Sequence, residues 1–213
     1  KFYGWIYEGI ARTQDELDGH ATQQGANVGD CLYKDISGPN GEPDGVIDAY
    51  DQTVLGSGLP KVNFGLSTHM EYKGFDLNIS TYGVLNYHVS DDIYNSLNSC
   101  YGYGNKEVGM LDANRWSEDG STYLSSVPRT YAANNATLGW NDLFSSRKIQ
   151  NAAYWKIANV ELGYNFPDKW FGGYVSGVRL YVSAQNLYTF TGYHGYNVDY
   201  AGGTFTPGYN FCS

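Results

Sequence analysis

The 213 residues are 42% hydrophobic but only 16% charged, well below the usual quarter, and 21 Tyr and 27 Gly stand against 13 Lys plus Arg. Aromatics at 16% exclude a disordered, collagenous or coiled-coil chain, and a net charge of −9 argues against nucleic acid as a partner, which requires a basic face. No apolar run approaches the roughly 18 residues of a spanning helix, yet transmembrane strands leave a much weaker hydropathy signal, so a membrane barrel stays open.

The chain starts Lys1-Phe2-Tyr3-Gly4-Trp5, without Met or a signal-peptide pattern, and finishes Tyr209-Asn210-Phe211-Cys212-Ser213. Both ends read as cuts through a longer polypeptide. Segment 1–7 reads as a strand with aromatics on both faces, and a long connection over 8–60 follows it.

That connection holds the strongest local motif, Asn40-Gly41-Glu42-Pro43-Asp44-Gly45-Val46-Ile47-Asp48-Ala49-Tyr50-Asp51. Asn40, Glu42, Asp44, Asp48 and Asp51 place side-chain oxygens at positions 1, 3, 5, 9 and 12 of an EF-hand-like frame. Val46 offers its carbonyl at position seven, and Gly45 permits the sharp turn at six. The pattern predicts a structural calcium site. Asp51 stands where a bidentate Glu is usual, Pro43 restricts the turn, and Asp35 rivals Asn40 as first ligand.

Period-two alternation then marks two strands, 61–72 and 75–87. The first sets Val62, Phe64, Leu66, Thr68, Met70 and Tyr72 against Lys61, Asn63, Gly65, Ser67, His69 and Glu71. The second sets Phe75, Leu77, Ile79, Thr81, Gly83, Leu85 and Tyr87 against Asp76, Asn78, Ser80, Tyr82, Val84 and Asn86. Only Lys73-Gly74 separates them, a tight hairpin.

The second long connection, 88–154, is rich in Asn, Ser, Gly and aromatics. Tyr94, Tyr101, Tyr103, Trp116, Tyr123, Tyr131 and Trp140 suit stacking on sugars, a protein interface, or packing within the loop. The acid pairs Asp91-Asp92 and Glu118-Asp119 resemble glycosidase carboxylates, but adjacency in sequence does not set the required separation. Two more alternating strands follow. In 155–166 the apolar face is Ala158, Val160, Leu162, Tyr164 and Phe166, and Lys156 is the one charge that falls on it. In 178–190 the apolar face is Val178, Leu180, Val182, Ala184, Tyr188 and Phe190. The short joint 167–177 carries Pro167 and three glycines. Cys31, Cys100 and Cys212 lie far apart without metal spacing, and their disulfide pairing stays open.

These strands match the roughly 9 to 11 residues that a tilted strand needs to cross a bilayer, against about five or six in soluble sheets. Short turns on one side and long loops on the other are the asymmetry of an outer-membrane barrel. Tyr72, Phe75, Phe166, Trp170, Phe171 and Tyr174 gather at the short turns, as an interfacial girdle does.

Specific stretches resemble the C-terminal barrel of SusC/RagA-type TonB-dependent outer-membrane transporters. They are Leu59-Pro60-Lys61-Val62-Asn63-Phe64-Gly65, Glu71-Tyr72-Lys73-Gly74-Phe75-Asp76-Leu77, Asn159-Val160-Glu161-Leu162-Gly163-Tyr164-Asn165-Phe166-Pro167, and Arg179-Leu180-Tyr181-Val182-Ser183-Ala184-Gln185-Asn186-Leu187-Tyr188-Thr189-Phe190-Thr191-Gly192-Tyr193. Val46-Ile47-Asp48, Arg115-Trp116 and Val127-Pro128-Arg129 fit the same pattern.

The resemblance implies an all-β fold, a segment of a 22-stranded antiparallel transmembrane barrel in the Gram-negative outer membrane. Residues 1–213 would be about five strands of its C-terminal part, without plug domain or final strand, and 8–60 and 88–154 would be extracellular loops. It implies import of oligosaccharides or oligopeptides, a SusD-like surface lipoprotein as lid, energy from the TonB complex, contact with outer-membrane lipid, and no enzymatic activity. The rival readings are a secreted β-rich carbohydrate-binding module and a secreted glycoside hydrolase.

Overall fold

The computed structural model describes residues 1–99, 108, 115–118, 125–130, 139–172, 175, 177–195, 198–199 and 207–210. In chain order, β1 (Phe2–Gly4) and β2 (Tyr7–Ile10) precede the short helix α1 (Gln14–Asp18), β3 (Cys31–Tyr33) and β4 (Thr53–Gly56). Then come β5 (Val62–Tyr72), β6 (Phe75–Leu85), β7 (His88–Asp91), α2 (Asp92–Leu97), β8 (Gln150–Asn151), β9 (Tyr154–Asn165), β10 (Arg179–Thr191) and β11 (Tyr209–Asn210). Two units divide the chain: a sheet unit of Leu59–Tyr87 and Asn151–Asp199, and a loop unit of Lys1–Gly58, His88–Gln150 and Tyr200–Ser213.

The sheet unit is four antiparallel strands in the order β10-β9-β6-β5, of 13, 12, 11 and 11 residues. All four predicted strands are present, each within two residues of its expected bounds. The sheet does not close on itself, and β5 and β10 are its edges. β5 and β6 keep an unbroken register from Tyr72↔Phe75 to Val62↔Leu85. Lys73 (φ 50°) and Gly74 (φ 88°) join them with positive φ at both central positions, the twist-matched two-residue turn of a right-handed hairpin. β9 and β10 are joined through a 3-10 turn at Asp168–Phe171, closed by Gly172 in the left-handed region, with the Gly177 amide donating to Asp168 Oδ1 at 3.1 Å.

One correction concerns β9. Alternation carried straight through 155–166 would set Lys156 on the apolar face. Instead Ser80 pairs with Asn159 while the adjacent Thr81 pairs with Ile157, so β9 uses two steps where β6 uses one. This is a β-bulge, and it flips the phase of everything before it. Trp155 and Ile157 therefore join Val160 and Leu162 on the apolar face, and Lys156 pairs with Tyr82 on the polar one. No charged residue of the four strands remains on the apolar face.

That face is uncovered: Phe64, Leu66, Met70, Phe75, Leu162, Leu180 and Val182 are all exposed. β5 is exposed at every position. A contiguous apolar surface of this kind marks contact with something other than water.

The loop unit holds the compact core. Cys31, Tyr33 and Ile47 are buried together, packed by Trp5, Tyr7, Ala21, Trp140 and Leu143. The strand expected over 1–7 is two short strands in this unit: β1 pairs with β4, and β2 with β3. Trp5 breaks the run, because it bridges to Ser145 and its indole N–H donates to the Asp48 carbonyl at 2.9 Å. The connection 8–60 is structured around them, and α1 starts at Thr13, whose hydroxyl caps the Glu16 amide.

Candidate functional site

The acidic loop is built from backbone-capping carboxylates. Asp48 caps the 3-10 turn Ala49–Asp51 by accepting from the Tyr50 amide at 2.7 Å, and Asp51 returns a bond to the Asp48 amide at 2.8 Å, a capping box. Asp51 is fully buried, and its Oδ1 also accepts from the amides of Ile36 and Ser37. Asp44 accepts from the Val46 amide at 3.0 Å. Asp35 Oδ2 accepts from the Gly45 amide at 2.7 Å, whereas its Oδ1 is buried with no hydrogen-bond partner. Gly41 and Gly45 both sit at φ 81°, so glycine is required at those turns. Ile47 anchors the loop in the core. Asn40, Glu42 and Val46 are exposed. Thus the structure draws Asp35 to Gly45 and Asp51 to 36–37 and 48. Among the described residues, no three His, Cys, Asp or Glu side chains form a metal-holding group.

A second polar constellation lies on the charged face of the sheet. Arg179 of β10 reaches across β9 to Asp76 of β6, with Nε at 3.1 Å from Oδ1 and Nη2 at 2.5 Å from Oδ2, and meets Glu161 at 2.5 Å. Gly163 makes the reach feasible. A Cβ there would stand 2.6 Å from Asp76 Oδ1 and 2.7 Å from Arg179 Nη2. Asn165 adds a bond to Asp76 at 3.0 Å. His69 lies between Asn78 and Glu71, at 2.5 and 3.0 Å.

At the other end of this face, Lys156 binds Asp199 at 2.6 Å, and Tyr82 donates to the same carboxylate at 3.2 Å. Burial alone would raise the Asp199 carboxyl, but the Lys156 ammonium and the Tyr154 and Tyr82 hydroxyls hold it below the ordinary carboxylate range. These bonds tie Asp199, eight residues beyond β10, to the polar face, and Tyr193 and Val198 in the same stretch are buried. Sequence reasoning missed this cluster because the bulge was invisible. The signal available was Trp155 and Ile157, two large apolar residues flanking Lys156.

The apolar face is banded by aromatics at both ends. Trp155 stacks on Phe190 at 5.4 Å, and Tyr188 meets Phe190 at 4.7 Å, at the long-loop end. Phe75, Tyr164, Phe166 and Trp170 form a continuous chain at the short-turn end, with centroid spacings of 4.6, 4.9 and 5.8 Å. Leu77, Ile79, Val160, Leu162, Val182 and Ala184 pair between the bands. This is the depth profile of a lipid-facing strand. No helix among the described residues is long and apolar enough to cross a membrane.

In the loop unit, Arg129 grips Asp30 with two bonds of 2.6 and 2.9 Å, and Asn141 joins them by donating to Asp30 and accepting from the Cys31 amide. Trp116 packs on Gly29, its amide donates to the Val127 carbonyl, and Pro128 is fully buried. The Arg-Trp and Val-Pro-Arg stretches are therefore a clamp for the loops. Trp116 is buried, and Trp140 is half-buried against the core with its indole N–H donating to the Gln24 carbonyl, so both rings serve packing within the loop unit. Tyr101, Tyr103, Tyr123, Tyr131, Tyr174, Asp119, Cys100 and Cys212 lie outside the described residues, as do the side chains of Tyr94 and Asp92. Asp91 is buried in β7, Glu118 is exposed, and Cys31 is in the core.

Long antiparallel strands, one apolar face banded by aromatics and one charged face give the sheet the two-sided character of a β-barrel wall. Comparison with known proteins shows which proteins it is similar to. TonB-dependent receptor P3 of Formosa agariphila is 31% identical over 196 residues, 91% of this chain and 18% of that receptor. TonB-dependent receptor SusC of Bacteroides thetaiotaomicron is 26% identical over 176 residues, 77% of this chain and 16% of SusC. The solved RagAB peptide transporter shares the fold with a TM-score of 0.68 at 23% identity, over 93% of this chain and 20% of that one. No family model matches. The chain resembles a segment of SusC/RagA-type TonB-dependent receptors, and it spans under a fifth of the length of these curated relatives. The relatives are receptors and transporters by name.

Proposed function

We propose that this chain is a wall segment of an outer-membrane importer, built as a 22-stranded barrel, and that it performs no catalysis. The importer takes up oligosaccharides or oligopeptides with a SusD-like lipoprotein over its mouth and draws energy through TonB. The observation that supports this most is the uncovered apolar face, free of charge along all four strands and banded at both ends. Capture of cargo falls to the long loops and the polar face, and energised release falls to parts of the receptor beyond these residues. A secreted carbohydrate-binding module is disfavoured, because it would leave that face in water. In the intact receptor, detergent-dependent extraction from the outer-membrane fraction is the expected result. Recovery in soluble fractions without detergent would overturn the reading.

We propose further that loop 35–51 takes a structural calcium ion, with Asp35 entering beside Asp44 and the predicted set Asn40, Glu42, Val46, Asp48 and Asp51. The buried, unpartnered Asp35 Oδ1 supports this, since an orphaned carboxylate oxygen is costly without a cation or donor. Calcium titration of the intact receptor, read as a thermal shift, is expected to stabilise the wild type and to have no effect in Asp35→Asn. No shift in the wild type would remove the ion from the account.

A further inference from the structure

The apolar face is not uniformly flat. Between β6, β9 and β10, at the short-turn end, lies a groove of about 330 Å³, at the lower limit of ordinary ligand sites. Phe75, Leu162, Tyr164, Leu180 and Val182 line it. Cross-strand pairing explains its shape: Leu180 and Phe75 flank Tyr164 in register, and Val182 flanks Leu162. The large Phe75–Tyr164 ring pair forms a wall on one side, while Leu180 and Val182 on the other are shorter.

The groove leads into a polar rim. Tyr164 passes to Phe166, and Phe166 to Trp170, which is 66% exposed on the 3-10 turn that also carries the exposed Lys169. On the other side, Phe75 follows the hairpin tip, where the exposed Lys73 rests its ammonium over the Tyr72 ring at 5.2 Å. The carboxylates nearby are engaged elsewhere. Asp168 accepts from the Gly177 amide, and Glu71 holds His69 on the opposite face.

An apolar groove whose short-turn end is walled by aromatic rings, with Lys73 on the adjoining hairpin tip and Lys169 beside Trp170 on the adjoining turn, matches an amphiphile with an acyl chain and an anionic head. We propose that this groove is a retained phospholipid site of the membrane leaflet at the short-turn side. The acyl chain lies along Leu162, Leu180 and Val182, and Lys73 and Lys169 hold the phosphate. The inference rests on the membrane reading above, because only a lipid-facing sheet offers the groove to a bilayer. It adds that one lipid is selected by charge where the rest of the face is merely solvated.

The test uses the intact receptor extracted in mild detergent, with co-purifying phospholipid counted by native mass spectrometry after exchange into mixed micelles of phosphatidylglycerol and phosphatidylethanolamine. Wild type is expected to retain phosphatidylglycerol preferentially. The pair Lys73→Gln and Lys169→Gln should lower that retention about 25-fold, at about fivefold for each lysine near the surface, and lower phosphatidylethanolamine retention much less, because its own ammonium already offsets the phosphate. Leu180→Trp fills the groove and should lower retention of both lipids. Equal retention in all three proteins overturns the site, as does a second protein chain cross-linking across Leu180 in place of lipid. A receptor that reaches the outer membrane yet shows equal retention defeats only the lipid site. A receptor absent from that fraction defeats the membrane reading itself. Unchanged unfolding midpoints for the variants establish that lost lipid is not lost fold.

Discussion

At the scale of single residues, Gly163 and Asp199 carry specific consequences. Gly163 leaves the gap through which Arg179 reaches Asp76, so Gly163→Val drives a side chain into both groups. Overpacking of this kind costs roughly 1–3 kcal/mol, and the intact receptor is expected to unfold earlier in detergent by a corresponding shift. Gly65→Val, where the nearest atom is 3.7 Å from a Cβ, is the matched control and should cost less. For Asp199 the sign follows from its lowered pKa. The folded state prefers the carboxylate, so the Lys156–Asp199 tie contributes fully above the ordinary carboxylate value of about 3.9 and is lost as pH falls through the depressed one. Hydrogen exchange over 192–195 should therefore stay slow from neutral pH down to about 4 and accelerate below it, and Asp199→Asn should remove that acid dependence.

At the scale of elements, the strands were readable because each has two unlike environments, which forces alternation into the composition. The hairpin was readable too, since Lys73-Gly74 between alternating runs leaves room only for a two-residue turn. Its positive φ at Lys73 makes a further prediction. Lys73→Asn suits the left-handed region better and should stabilise the intact receptor by about 0.5 kcal/mol, while Gly74→Ala should cost about 1 kcal/mol, both read from the unfolding midpoint. The bulge in β9 was not readable as a break, because Lys156 and Ala158 continue an apparently regular pattern, with Lys156 the sole offender. The acidic loop was readable in its residue types but not in its bonds. Asp48 and Asp51 meet an amide before any ion, and amide partners leave no mark in side-chain spacing. The clamp of Arg129 on Asp30 joins positions 99 apart and was equally hidden.

At the scale of the whole molecule, the two faces of the sheet predict opposite tolerances. Val160→Arg places a cation at mid-depth on the apolar face and should cost roughly 2–4 kcal/mol, whereas Asn63→Arg on the polar face should cost far less. Folding yield of the intact receptor into bilayers measures the difference. An equal penalty at both positions would mean that the face taken as lipid-facing is not.

The irregularity in the middle of the sheet has one more effect. Between the same two rungs of the ladder, β6 advances one residue, β9 two and β10 three. Each added residue is about 3.3 Å of extra chain that neighbours do not match, so it must leave the plane and increase local twist. The surplus grows in one direction across three successive strands. The wall therefore curls progressively toward β10 at that level, while the stretch nearer the short turns stays regular. The crease thus divides the four-stranded sheet into a regular, flatter lower half and a more strongly twisted upper one, and the extra chain is stored where β9 and β10 meet.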